Sequence, residues 1–116
     1  MSKLALLAFL GVLKKINMET IYQFVALSKS ERLQNYVNEK LEKLERKYDF
    51  ITRAEVHFKR NHAEDPKGFI CNIKVSIPGP QLFAESNSDS FEAAASQTVK
   101  DLDKQLDKKK GQMQTH

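Results

Sequence analysis

Three histidines and one cysteine are the side chains here best suited to metal binding or nucleophilic attack, and their placement argues against both uses. His57 and His62 flank one end of an expected hairpin, His116 ends the chain, and Cys71 falls on the core-facing half of an alternating apolar segment. A zinc site needs four convergent ligands. A thiol among alternating apolar residues is a packing residue. Glu64 and Asp65 form an isolated acidic pair in a turn. Gly11, Gly68, Gly79 and Gly111 stand apart, so neither G-x-G-x-x-G nor a Walker loop is present. These patterns require no catalysis, metal, cofactor or small-molecule substrate.

The lysines offer a different chemistry, neutralisation of phosphate. On a helical wheel of about 100° per residue with Leu33 at zero, Arg32, Lys40, Lys43 and Lys47 fall between about 260° and 340°, with Tyr36 among them. Glu39, Glu42 and Glu45 fall between about 120° and 240°, across the apolar stripe from the lysines. Further along, Lys100, Lys104 and Lys108 recur every four residues, and Lys109 and Lys110 extend the charge. Two readings fit such rows. They are solvated helix faces laced with pairs such as Glu39–Lys43 and Asp101–Lys104, or they match phosphates on a rigid scaffold. The sorting of charge on the first helix favours the second.

Bulk charge adds little. The net charge is +4 and the isoelectric point about 9.2, but Lys3, Lys14 and Lys15 carry most of the excess. Beyond residue 17 the chain holds 16 basic and 15 acidic side chains, a balance of +1. Residues 1–17 also differ in kind. Their apolar run from Leu4 to Leu13 is too short to cross a bilayer core of about 30 Å as a helix. The run ends in lysines and lacks a small-x-small cleavage site, which argues against a secretory signal. The expectation is a non-native start upstream of Met18, or a flexible appendage. A single cysteine excludes a disulfide framework and fits a reducing cytoplasm.

These rows need a scaffold, and one domain of 116 residues supplies it. Residues 19–27 are rich in β-branched and aromatic side chains and read as a first strand. SKSE at 28–31 has capping-box spacing and opens a helix to Lys47, whose stripe is Leu33, Val37, Leu41, Leu44 and Tyr48, with Asp49 closing the segment. In residues 51–60, Ala54, Val56 and Phe58 alternate with Arg53, Glu55, His57 and Lys59, a half-exposed strand. A polar connection follows, then a third strand of Phe69, Cys71, Ile73, Val75 and Ile77. Pro78-Gly79-Pro80 forces a turn, and 81–85 is a short fourth strand. Ser86 to Ser90 offer helix caps, with Asp89 in the first turn. The second helix has the stripe Phe91, Ala95, Val99 or Thr98, Leu102 and Leu106. It runs to Lys110, where Gly111 ends it and a disordered tail of 111–116 begins. The fold is thus α+β, in the order β-α-β-β-β-α, with both helices on one face of a four-stranded sheet. The other face carries Arg53, His57, Lys59, Asn72 and Lys74.

Residues 18–110 resemble the ribosome hibernation-promoting factor family, which includes ribosome-associated inhibitor proteins. The resemblance rests on S-x-S-E-x-L after the first strand, the helix LQNYVNEKLEKLERKYD, the strand ITRAEVHFKR, the segment VSIPGPQLFAES and the helix SFEAAASQTVKDLDKQLDKKK. The most specific parts are [EK]-K-L-x-K-L-E in the first helix and D-x-[QR]-L-x-[KR] near the end of the second. It implies a fold like a double-stranded-RNA-binding domain with an added strand. It implies binding to rRNA of the small ribosomal subunit, in the channel for messenger and transfer RNA, as a cytoplasmic translation inhibitor in stress or stationary phase. Lys40, Lys43 and Arg46 on the first helix, and Lys104 and Lys108 on the second, stand where the family contacts rRNA. Lys47 and Lys100 join them from the helix patterns above. Asp101 departs from the family's usual basic residue, and Lys100 is placed to compensate; Asp107 is acidic where neutral or basic residues are common.

The resemblance is to the short form of the family, which implies a separate helper for pairing ribosomes. It implies no enzyme activity and no membrane partner. The competing functions are modulation of an alternative sigma factor and generic binding of double-stranded RNA.

Overall fold

The computed structural model describes residues 18–62 and 64–113. The expectations for residues 1–17 and for 114–116 lie outside the described residues. The elements are β1 (Glu19–Phe24), α1 (Glu31–Lys47), β2 (Arg53–Arg60), β3 (Phe69–Ser76), β4 (Gln81–Ser88) and α2 (Phe91–Met113). The strands lie in the order β1-β2-β3-β4. β1 runs parallel to β2 through the α1 crossover, and the other two pairings are antiparallel hairpins. The fold is α+β as the sequence indicates; the likeness to a double-stranded-RNA-binding domain is loose.

Register fixes which side chains face the helices. Val56 is opposite Tyr22 and Ile73, and Ile73 is opposite Ala84. The same parity places Ala54, Phe58, Cys71, Val75 and Leu82 inward, and all are buried. Leu33, Val37, Leu41, Leu44 and Tyr48 descend onto them from α1, and Ala94, Ala95, Thr98, Leu102 and Leu106 from α2. Phe91 and Val99 are only partly buried. α2 packs over β3 and β4; the Thr98 hydroxyl lies 3.0 Å from the Cys71 carbonyl oxygen and 2.8 Å from that of Ala94. α1 lies toward β1, where Asn38, Glu42 and Glu45 share a surface hollow with Met18 and Thr20.

Several boundaries differ from the sequence expectation. β1 stops at Phe24 rather than Leu27, because Ala26 takes a left-handed conformation, φ 55°, that turns the chain out of the sheet. Ser30, not Ser28, caps α1: its side chain accepts from the Leu33 amide at 3.2 Å. β4 extends to Ser88, three residues beyond expectation, since the ladder with β3 pairs Phe69 with Ser88; backbone pairing sustains the strand where side-chain alternation fades. Ser90 caps α2, accepting from Ala93 N at 3.1 Å, so Asp89 precedes the helix and the acid in its first turn is Glu92. α2 passes through Gly111 to Met113. Gly79 is the glycine with positive φ among the described residues. Gly111 therefore lacks the left-handed conformation with which a glycine stops a helix.

Candidate nucleic-acid interface

Contacts at two levels show that α1 and α2 run side by side in the same direction. Near their N-termini Arg32 Nη1 lies 2.7 Å from Glu92 Oε2, and further along Lys47 Nζ lies 3.1 Å from Asp103 Oδ1. The apolar stripe of α1 faces the sheet, so its basic flank turns toward α2 and its acidic flank toward β1. The charge sorting along α1 is thereby converted into a positive groove between the helices.

The groove has two connected parts. A concavity of about 220 Å³ is lined by Lys40, Lys43, Leu44 and Lys47 from α1 and by Ser96, Val99, Lys100 and Asp103 from α2. A wider one of about 540 Å³ shares Lys47, Lys100 and Asp103, and adds Ser86, Gln97, Asp101, Lys104 and Asp107. Five of the seven basic residues singled out from sequence, Lys40, Lys43, Lys47, Lys100 and Lys104, thus line one continuous surface. Arg46 and Lys108 line neither part. Arg46 follows Glu45 round the helix, about 100° from the Lys47 direction.

Most of these ammonium groups are available. Among the described residues, the ion pairs Glu39–Lys43 and Asp101–Lys104 do not form, and Lys40, Lys43, Lys100 and Lys104 take part in no salt bridge. Lys40 rests over the Tyr36 ring, 4.9 Å from its centroid. Lys47 is the exception, since it pairs with Asp103. Asp103 also accepts from the Tyr48 hydroxyl at 2.6 Å. That bond, with Lys47 adding to it, holds the Asp103 carboxyl below its ordinary value of 3.8, although partial burial opposes the shift. Asp103 and Tyr48 do not stand out from the sequence as site residues. The usable signal is Tyr48 itself, a stripe residue whose buried hydroxyl needs a partner.

The open face of the sheet is built differently. Glu55 binds both Arg53 (3.0 Å) and Lys74 (3.1 Å), and Lys59 lies 3.8 Å from Glu85. Asn72 donates to Glu85 at 3.3 Å. Lys74 first, then Arg53, hold the Glu55 carboxyl below the usual carboxylate range. This face balances its own charge and offers a polyanion little.

Among the described residues no three His, Cys, Asp or Glu side chains are grouped to hold a metal ion, and no helix is long and apolar enough to cross a membrane.

Residues 20–114 match the model of the family described as Sigma 54 modulation protein / S30EA ribosomal protein. The chain belongs to this family. Two solved structures share the family fold. A ribosomal subunit interface protein from Coxiella burnetii is 23% identical, with a TM-score of 0.73, over 81% of this chain and 99% of that one. The N-terminal domain of Protein Y from Thermus thermophilus is 24% identical, with a TM-score of 0.65, over 78% and 94% of the two chains. Among curated protein sequences none is a significant match.

Proposed function

We propose that this member of the family is a ribosome-associated hibernation factor that inhibits translation by binding rRNA in the messenger and transfer RNA channel of the small subunit. The observation that carries the reading is the convergence of lysines from two helices, four of them outside any salt bridge among the described residues, on one groove in a chain of this family. A lysine ammonium is a flexible point charge, with none of the forked geometry that reads a base edge. Five of them along a groove recognise a phosphate backbone and release its counter-ions. The balanced sheet face then points away from the RNA. The action is steric occupation, in the cytoplasm, under stress or in stationary phase, and no enzymatic step is assigned to it.

The family description also names modulation of a sigma factor, which is the second reading. Sucrose-gradient sedimentation of extracts from starved cells separates the two. The protein should travel with the small subunit or whole ribosomes; its recovery only at the top of the gradient, or with RNA polymerase, overturns the ribosomal reading.

A further inference from the structure

Asp103 stands out in the groove because its charge has the wrong sign for the proposed ligand. It lines both parts of the groove. Its two carboxylate oxygens lie 3.1 and 3.4 Å from Lys47 Nζ, while the other groove lysines form no ion pair among the described residues. Asp101 and Asp107 also line the wider part, yet among the described residues neither is tied to a neighbour by a salt bridge or a side-chain hydrogen bond. Asp103 is. Tyr48, 1% exposed, donates its hydroxyl to Oδ1 at 2.6 Å, so the carboxylate is tethered to the core by a bond that does not involve Lys47.

We propose that Asp103 is an internal counter-ion of the groove: it holds Lys47 in the free protein, gives Lys47 up to an RNA phosphate on binding, and thereby limits affinity. The inference rests on the rRNA-binding reading above. The Lys47–Asp103 pair is largely open to water, with side-chain exposures of 55% and 40%. Such a pair is weak enough to exchange partners. After the exchange the anchored carboxylate still faces the phosphate, so the groove acts as though it held one positive charge fewer than its lysines supply.

Asp103→Asn tests this, because the amide oxygen still accepts from Tyr48 while the charge is gone. Binding of the full chain is measured against a fluorescein-labelled uridine oligonucleotide by anisotropy, and against purified ribosomes by pelleting, each over a salt series. For both probes Asp103→Asn is expected to bind about three- to tenfold more tightly at low salt. The plot of log affinity against log salt steepens by about 0.7 for the single strand. In a Lys47→Gln background the gain falls to less than half, which a merely structural role for Asp103 does not produce. In the unmodified chain, the carboxyl carbon resonance of Asp103 should move when the oligonucleotide is added, a readout independent of how the variant folds. Weaker binding by Asp103→Asn, or an unmoved resonance with RNA bound, overturns the counter-ion role and makes Asp103 an aiming device for Lys47. Ribosome binding without the Asp103→Asn gain sinks this inference alone. The gain on the oligonucleotide without ribosome binding sinks only the ribosomal reading, and binding to neither probe sinks both.

Discussion

The hydroxyl of Tyr48, at the C-terminal end of α1, lies 2.6 Å from Oδ1 of Asp103 on α2 and 3.2 Å from that residue's backbone oxygen. Lys47 and Lys110 both extend over the Tyr48 ring, 5.4 and 5.9 Å from its centroid. This bond joins the two basic helices where their lysine rows meet. Tyr48→Phe keeps the ring and deletes the bond, leaving Asp103 with Lys47 alone. A hydrogen bond to a charged acceptor is worth about 1.5–3 kcal/mol, and partial exposure places this one near the lower end. Urea unfolding should show a lower midpoint with an unchanged slope, whereas an unchanged midpoint means that the bond contributes nothing to joining the helices.

The same carboxylate sets a pH dependence. The Tyr48 hydroxyl, and then Lys47, favour ionised Asp103 in the folded state, so its folded pKa lies below the ordinary 3.8. Arg32 does the same for Glu92, whose ordinary value is 4.5. A depressed folded pKa means that the unfolded chain binds the proton first. The stabilisation is complete above the ordinary values and is lost as pH falls through the depressed ones. Glu92→Gln and Asp103→Asn should therefore flatten the loss of stability below about pH 4.5, measured as urea midpoints across an acid series. Variants that fall as steeply as the parent would exclude both carboxylates as sources of the acid slope.

How far the sequence reveals the molecule differs between core and groove. The stripe from Leu33 to Tyr48 and the alternation of Ala54, Val56 and Phe58 fix fold class and facing, because burial imposes the helix and strand periods directly. Element ends are less legible. Ser28 and Ser30 are chemically equal as caps, and only the path of the chain after Ala26 selects Ser30. The extension of β4 depends on pairing with β3, a non-local cause. In the groove, the α1 lysine row is readable from a wheel. That Lys100 and Lys104 face it, and that Arg46 and Lys108 do not line it, depends on how α1 and α2 lie on the sheet. No helical period encodes that arrangement.

Cys71 offers a check on the core. Burial pushes its thiol up to about 12, so at neutral pH it stays protonated, and it has 0% exposure beneath α2. A disulfide reagent such as Ellman's should leave it unlabelled in the folded protein and label it fully in urea. Prompt labelling of the native chain would mean that α2 lifts from β3 far more readily than this packing permits.

The open sheet face serves as a control for RNA binding. Arg53, Lys59 and Lys74 already hold Glu55 and Glu85, so a phosphate arriving there must displace existing pairs. Joint neutral replacement of Arg53, His57, Lys59 and Lys74 should shift ribosome affinity by less than about twofold, as for surface charges outside an interface. A weakening equal to that of groove variants would move the RNA to the sheet.

The groove itself makes the sharpest demand. Lys43 and Lys104 stand on opposite helices, both off the buried stripes, so reversing them to glutamate should leave the circular dichroism spectrum and the urea midpoint unchanged. If they neutralise phosphates, removing either ammonium group flattens the plot of log ribosome affinity against log salt by about 0.7 to 0.9. The double reversal should flatten it by at least twice that and weaken binding most at low salt. Asp101 supplies the opposite arm. It lines the wider part of the groove together with Lys104 and stands where the family resemblance places a basic residue. Asp101→Lys should therefore tighten binding and steepen the same plot. Ribosome pelleting across a salt series reads both arms in one experiment. Parent-like binding by the double reversal at every salt concentration would mean that the groove faces away from the RNA, whatever Asp101→Lys does.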